Sequence, residues 1–321
     1  MTPDELSQWT PIGLTVEAPE PTVDWCDLRG ISFREPFFSQ TVTRWTTGES
    51  ARPIIRTALS ALLTVDGLGA CLEPSGFIFH FSRCGSTLAS RLLASKADTL
   101  VISEADPINA LLELEPERVN REVQVQCLRL LIRALGRVRL GTERHYVIKF
   151  SSWTVTQLSL LREAFPGVPC VWIYRDPAAV LASILARPPG WMQLRFRPRQ
   201  AEFLMGACDP MSLVSPEAFA AHALTRFASV VLAHDDRPFP FIDYQQLPEA
   251  VWQTVAPAFR IPLDPDAIAA MQAEARWTSW ETEQRPFVPA HQRPTPVGRS
   301  PVVPERLAGL YQEMAARSQR P

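Results

Sequence analysis

The residues with the clearest chemical purpose are Ser82-Arg83-Cys84-Gly85-Ser86-Thr87. An apolar aromatic run, Gly76 to Phe81, leads into this short Ser/Gly turn, and the chain then passes into a helical pattern with Leu88, Leu92 and Leu93 on one side. A strand, a loop and a helix in that order leave the first N–H groups of the helix without internal partners, at the positive end of its dipole. Such a junction binds anions. Ser82, Ser86 and Thr87 add hydroxyls and Arg83 adds a full positive charge, so the stretch reads as a phosphate cradle. A second charged group, Lys149, ends the otherwise mostly apolar run His145 to Phe150. The carboxyl end of a strand is where open α/β sheets place ligand contacts.

The elements that must position these groups follow from periodicity. Strand-like runs at Gly76–Phe81, Thr99–Ser103, His145–Phe150 and Val168–Tyr174 alternate with helical patterns. Val168–Tyr174 is almost continuously apolar, as in a strand buried on both faces. This alternation predicts an α/β fold, a three-layer αβα arrangement around a central, mostly parallel sheet. Further helices are expected over Arg52–Leu68, Glu117–Arg139, Trp153–Phe165 capped by Ser151 or Ser152, Ala178–Ala186 opened by Pro177, Ser215–Ala233, Leu247–Phe259 and Glu305–Arg317. Asp106 is expected to cap a helix that begins at Pro107. A short strand is expected at Pro240–Asp243. Residues 1–56 carry aromatic and proline residues without a period and read as an irregular cap on an α/β domain spanning 57–321. The segment Glu281–Pro304 reads as a long proline-rich loop.

Composition narrows the class. The chain has 321 residues, 46% of them hydrophobic, enough for a large core, and its formal charge of -2 offers no global footprint for a nucleic-acid polymer. Six cysteines without CxxC or Cys/His ligand spacing argue against zinc and against a disulfide framework. The acidic start, with no long apolar run, fits neither a signal peptide nor a membrane span, so a cytoplasmic protein is expected.

The loop departs from the Walker pattern GxxxxGK[ST]. Aligned on Gly85, His80 stands for the first glycine and Ser86 for the lysine. Instead Ser82–Leu88 resembles the 5′-phosphosulfate loop of sulfotransferases that use 3′-phosphoadenosine 5′-phosphosulfate. Tyr174-Arg175-Asp176-Pro177, with Ser183 eight residues after Arg175, resembles the same family's 3′-phosphate motif. Arg175 leaves a strand tip and Ser183 lies two helical turns on, so both can reach one phosphate. Phe241–Leu247 resembles the hydrophobic, Tyr, acidic, x, Leu segment of the family, with Gln in place of the acid. The resemblance runs from Gly76 to Tyr311 and implies a P-loop-like sulfotransferase fold.

It also implies 3′-phosphoadenosine 5′-phosphosulfate as cosubstrate, a small-molecule acceptor and no metal. Nucleotide contacts would fall to Arg83, Cys84, Gly85, Ser86, Thr87, Arg175, Ser183 and the later Gly298 and Arg299. Arg83 would stabilise charge on the leaving phosphate, since arginine does not readily give up a proton. Lys149 would reach the transferring group, and Glu104, at the end of the second strand, would take the acceptor's proton. A plain ion pair between Glu104 and Arg83 or Lys149 is the structural alternative. His80 reads as a satisfied core histidine; His145 and His291 are weaker bases, and Cys84 is a small loop residue whose thiol the helix N-terminus should acidify. Two other functions remain open at this level: a nucleotide-dependent phosphotransferase with a degenerate loop, and a non-catalytic nucleotide-binding module.

Overall fold

A computed structural model describes residues 6, 8–16, 20–64, 70–234, 239–277 and 301–319. At its centre lie five strands, β4 (Gly76–His80), β5 (Thr99–Ser103), β6 (His145–Lys149), β7 (Cys170–Tyr174) and β8 (Phe241–Asp243), in the order β5-β6-β4-β7-β8. Every neighbouring pair is parallel. Strands β4, β5 and β7 are buried at every residue, which requires cover on both faces. Helices provide it, giving the expected three-layer α/β architecture.

The order places the first central strand, β4, in the middle. Its helix Ser86–Ala94 leads toward the β5 edge, whereas the helix after β7, Pro177–Ala186, leads toward β8. The chain therefore diverges at the carboxyl ends of β4 and β7, a crevice that open α/β sheets use for ligands.

Residues 10–58 are more regular than expected. Strands β1 (Thr10–Thr15), β2 (Thr22–Cys26) and β3 (Ile54–Ala58) form an antiparallel sheet, and Phe38–Thr46 is a helix. The sheet's strands are short and half exposed, so no apolar run announces them. The expected helix over Arg52–Leu68 is corrected: Ile54–Ala58, with β-branched residues at 54, 55 and 57, pairs with β2, and only Ala61–Thr64 is helical, with 65–69 outside the described residues. Position 56 lies inside β3. Val23, Trp25 and Phe38 belong to the same buried cluster as Phe79 of the central sheet.

Other boundaries shift for local reasons. The long helix is Arg121–Leu135, begun by Asn120, whose side chain accepts from the Glu122 N–H at 2.8 Å. Trp153–Phe165 divides into a 3₁₀ stretch, Ser152–Gln157, and the α-helix Leu158–Ala164. Within Leu247–Phe259 the regular parts are the wide π turn Val251–Val255 and the short α-helical stretch Ala256–Ala258, where Pro257 withholds an N–H from a longer α-helix. Pro216–Ala233, capped by Ser215, and Glu305–Ser318 match expectation closely. Among the described residues, no helix is long and apolar enough to cross a membrane.

Gly76 starts β4 directly against Phe259. A Cβ at that position would stand 2.1 Å from the Phe259 ring. Gly76→Ala should therefore destabilise the fold by about 1–3 kcal/mol through overpacking, read as a lower urea midpoint at unchanged m-value.

Candidate functional site

The carboxyl ends of β4, β5, β6 and β7 open on a cavity of about 1030 Å³. Ser82 to Leu88, Glu104, Arg175 and Ser183 all line it. Residues chosen from separate parts of the sequence are thus brought to one place. Parallel pairing does this: Lys149 is in register with both Ile78 and Ser103, and His80 with Ile173, so the strand tips finish together.

The loop after β4 is held in an unusual backbone shape. Ser82 and Arg83 have φ of 69° and 48°, and Gly85 has φ of 84°. Left-handed non-glycine residues cost about 1–3 kcal/mol each unless their surroundings impose them. Three contacts do so. The Ser82 N–H donates to His80 Nδ1 at 3.2 Å, the Cys84 thiol donates to the Ile173 carbonyl at 3.1 Å, and Arg175 donates to the Arg83 carbonyl at 3.4 Å. Gly85 then opens the helix Ser86–Ala94, whose start no side chain caps. Its first N–H groups are left without a side-chain cap at the cavity wall.

Two expectations about this loop need correction or refinement. Cys84 is wholly buried, and burial pushes its thiol up to about 12, overriding any acidifying pull from the helix terminus. Only its backbone can face a ligand. His80 is the core histidine expected, but it also shapes the site. Its Nε2 lies 2.9 Å from the Phe150 carbonyl while Nδ1 accepts from Ser82, which assigns the proton to Nε2. Burial first, and the Lys149 charge second, lower its pKa to about 3. The 3.8 Å approach to Glu104 is therefore a contact of a neutral ring, not an ion pair.

Arg83 lines the cavity and donates to the Arg187 carbonyl. Its buried Nε has no hydrogen-bond partner, and burial followed by the Arg187 charge lowers its pKa, with Glu104 acting in the opposite sense. Arg175, from the end of β7, lies with its guanidinium 4.5 Å from the centroid of the Tyr244 ring. Ser183 is on the same cavity wall, on the helix Pro177–Ala186 that Asp176 caps by accepting from the Ala179 N–H at 2.8 Å.

Lys149 is fully buried and does not line the cavity. Its ammonium donates to Glu104 Oε1 and lies 5.0 Å from the centroid of the Phe37 ring. Glu104 has the left-handed φ of 54°, and its side chain is about a quarter exposed to the cavity (27%). Burial alone would raise its carboxyl, but the charge of Lys149 and hydrogen bonds from Lys149 and Ser151 hold it below the usual value. Glu104 is thus ionised at neutral pH.

Several further residues complete the site. Ser151 holds the cap position of the 3₁₀ stretch as expected, but its side chain makes no cap bond; its hydroxyl lies 3.4 Å from Glu104 Oε2 and accepts from Asn109 at 3.0 Å. Asp106 is not a cap. The cap position is Ala105, and the Asp106 carboxyl faces the cavity, raised by burial and then by the charge of Glu104. The left-handed turn at Glu104 moves the helix start one residue earlier and frees Asp106. Glu113, raised by burial and bonded to Gln200 at 3.0 Å, and Arg197 line the far side, and Phe37 and Ser39 bring the amino-terminal segment into the wall. Gly298, Arg299 and His291 lie outside the described residues. His145 sits at the opposite, amino-terminal end of β6, away from the cavity. Among the described residues, no group of three or more His, Cys, Asp or Glu is placed to hold a metal ion.

No family model and no curated protein matches this chain. Among solved structures it is similar to the crystal structure of sulfotransferase STF9 from Mycobacterium avium, with 14% sequence identity and a TM-score of 0.39, over 67% of this chain and 69% of that one.

The neutral, buried His80 makes stability depend on pH. Its folded pKa of about 3 lies below the ordinary 6.5, so the unfolded chain binds the extra proton between these values and stability falls as pH drops below 6.5. Glu104, held low, adds loss in the same direction below pH 4.5. Between pH 6.5 and 5, His80 should cost on the order of 2 kcal/mol. Urea unfolding at the two pH values should show this difference, and His80→Gln should flatten it.

Proposed function

We propose that the protein is a sulfotransferase that moves a sulfuryl group from 3′-phosphoadenosine 5′-phosphosulfate to a hydroxyl or amine of a small-molecule acceptor. The observation that carries this reading is the placement of two separate anion-binding elements on one cavity. The loop Ser82–Thr87 and the pair Arg175 and Ser183 sit at the ends of adjacent parallel strands, β4 and β7, where the chain diverges. One nucleotide carrying phosphates at both its 5′ and 3′ ends would engage both. A triphosphate would be expected to need a lysine in the loop, and Ser86 stands there.

In this reading the loop N–H groups and the hydroxyls of Ser86 and Thr87 hold the 5′ group. Arg83, with an Nε that has no other partner, stabilises charge that grows on the leaving phosphate. Glu104 is the carboxylate that takes the acceptor's proton. Lys149 keeps it ionised and in place, from beneath the cavity floor rather than from within it. Sulfuryl transfer is then catalysed chiefly by alignment and by fixed charge. The acceptor's side of the cavity is walled by Phe37, Asp106, Glu113, Trp191 and Arg197.

Calorimetric titration tests the reading. Adenosine 3′,5′-bisphosphate should bind without Mg²⁺, and Arg175→Ala should weaken it by about 10²-fold, the cost of losing a charged partner. Tight ATP binding that requires Mg²⁺, with no binding of the bisphosphate, would establish the phosphotransferase reading instead. With a sulfated acceptor in hand, Arg83→Ala should lower kcat on the order of 10²–10³, and Glu104→Gln should abolish turnover while nucleotide binding persists.

A further inference from the structure

Tyr244 touches both anion-binding elements. The register of β8 against β7 sets Asp243 beside Tyr174, so the residues that follow, Tyr244 and Arg175, leave the sheet side by side. The guanidinium of Arg175 lies against the Tyr244 ring at 4.5 Å. One edge of that ring presses on the loop: a Cβ at Gly85 would stand 2.8 Å from Tyr244 Cδ2 and 2.9 Å from Cε2. Gly85 is thus doubly required, by its φ of 84° and by this close approach. Tyr244 is itself pinned by a tight turn, in which Asp243 accepts from the Gln245 N–H at 2.8 Å and Gln246 Oε1 accepts from the Asp243 N–H at 2.7 Å.

Arginine reads a phosphate through a planar fork of N–H groups, and the direction of that plane decides whether two bonds can form at once. Arg175 has one N–H on the Arg83 carbonyl, at 3.4 Å, which fixes a point but leaves the plane free to turn. A ring with the guanidinium carbon over its face, as Tyr244 has, restricts that freedom. We propose that Tyr244 is a positioning residue that orients the Arg175 guanidinium against the loop at Gly85, and so makes the site prefer a nucleotide phosphorylated at both the 3′ and 5′ positions. This role rests on the sulfotransferase reading and deepens it, because it says what gives the second phosphate its weight. The phenol hydroxyl has no part in it; the ring does the work.

The test compares adenosine 3′,5′-bisphosphate with adenosine 5′-monophosphate by calorimetry, in the full-length protein without Mg²⁺. The wild type should prefer the bisphosphate, Tyr244→Leu should reduce that preference about tenfold, and Tyr244→Phe should retain it. In an Arg175→Ala background, Tyr244→Leu should leave the remaining ratio unchanged, since the ring then has no guanidinium to orient. A Tyr244→Leu protein that loses both nucleotides by the same factor, or that changes the ratio equally with and without Arg175, would overturn the role while leaving the sulfotransferase reading in place. A wild type that binds neither nucleotide would instead overturn the reading, and this role with it. Thermal unfolding of each variant separates a binding change from a failure to fold, and Tyr244→Phe supplies a folded comparison if Tyr244→Leu does not fold.

Discussion

A lysine ammonium with no access to solvent has to be paired, and the arrangement around Lys149 follows from that constraint. Desolvating a charge costs several kcal/mol, so the fold must supply a counter-charge at contact distance and a polarisable neighbour. Glu104 is the first and the face of Phe37 is the second. Glu104 reaches Lys149 only because β5 and β6 are parallel and in register, with Ser103 opposite Lys149. It also requires the left-handed turn at Glu104, whose N–H donates to the Lys149 carbonyl at 2.7 Å. Phe37 arrives from the amino-terminal segment, immediately before the helix Phe38–Thr46. One buried charge thus ties the amino-terminal segment, β5 and β6 into a single floor.

The roof of that floor is the loop after β4, and it is held by equally non-local contacts. His80 can accept from Ser82 only while it stays neutral, and the buried positive charge of Lys149 nearby helps to keep it so. Burial that makes Cys84 useless as a nucleophile makes it an anchor for the loop on β7. The electrostatics of the site and the shape of its backbone therefore have common causes. A carboxylate held ionised by Lys149, Asp106 raised beside it, and cationic arginines opposite are consequences of where the strand tips end. Environments that push two neighbouring carboxyls apart in pKa are a recurring way to give each its own role.

The amino-terminal segment shows how a cap becomes part of a site. Its sheet is a small antiparallel meander in which Trp25 is buried and donates to Thr57 at 2.9 Å. Strand β1 packs against the helices Asp106–Leu112 and Arg121–Leu135, and Arg139 donates to Thr10 at 3.2 Å. Those contacts hold Phe37 and Ser39 over the cavity. The aromatics of this segment serve packing first, and Phe37 serves both packing and the site.

From the sequence by itself came the central strands and a set of residues that the fold gathers at one cavity: the loop Ser82–Thr87, Arg175 and Ser183. These signals are local: apolar runs fully buried between helices, a Ser/Gly turn between strand and helix, and a residue pair within one strand–helix unit. The strands β1–β3 were not legible, because short, partly exposed strands of five or six residues, one of them containing Pro11, leave no long run or period to read. Lys149 and Glu104 were each legible as charged strand ends, and their pairing was foreseen only as an alternative to separate catalytic roles. Only the tertiary structure shows the pair formed, since the two lie 45 positions apart and meet through the register of two parallel strands. The same holds for Ser151, Asn109, Asp106 and Tyr244, whose side chains take their meaning from partners on other elements. Local chemistry can be read along a chain, whereas the partner that burial forces on each charged group is a property of the folded sheet.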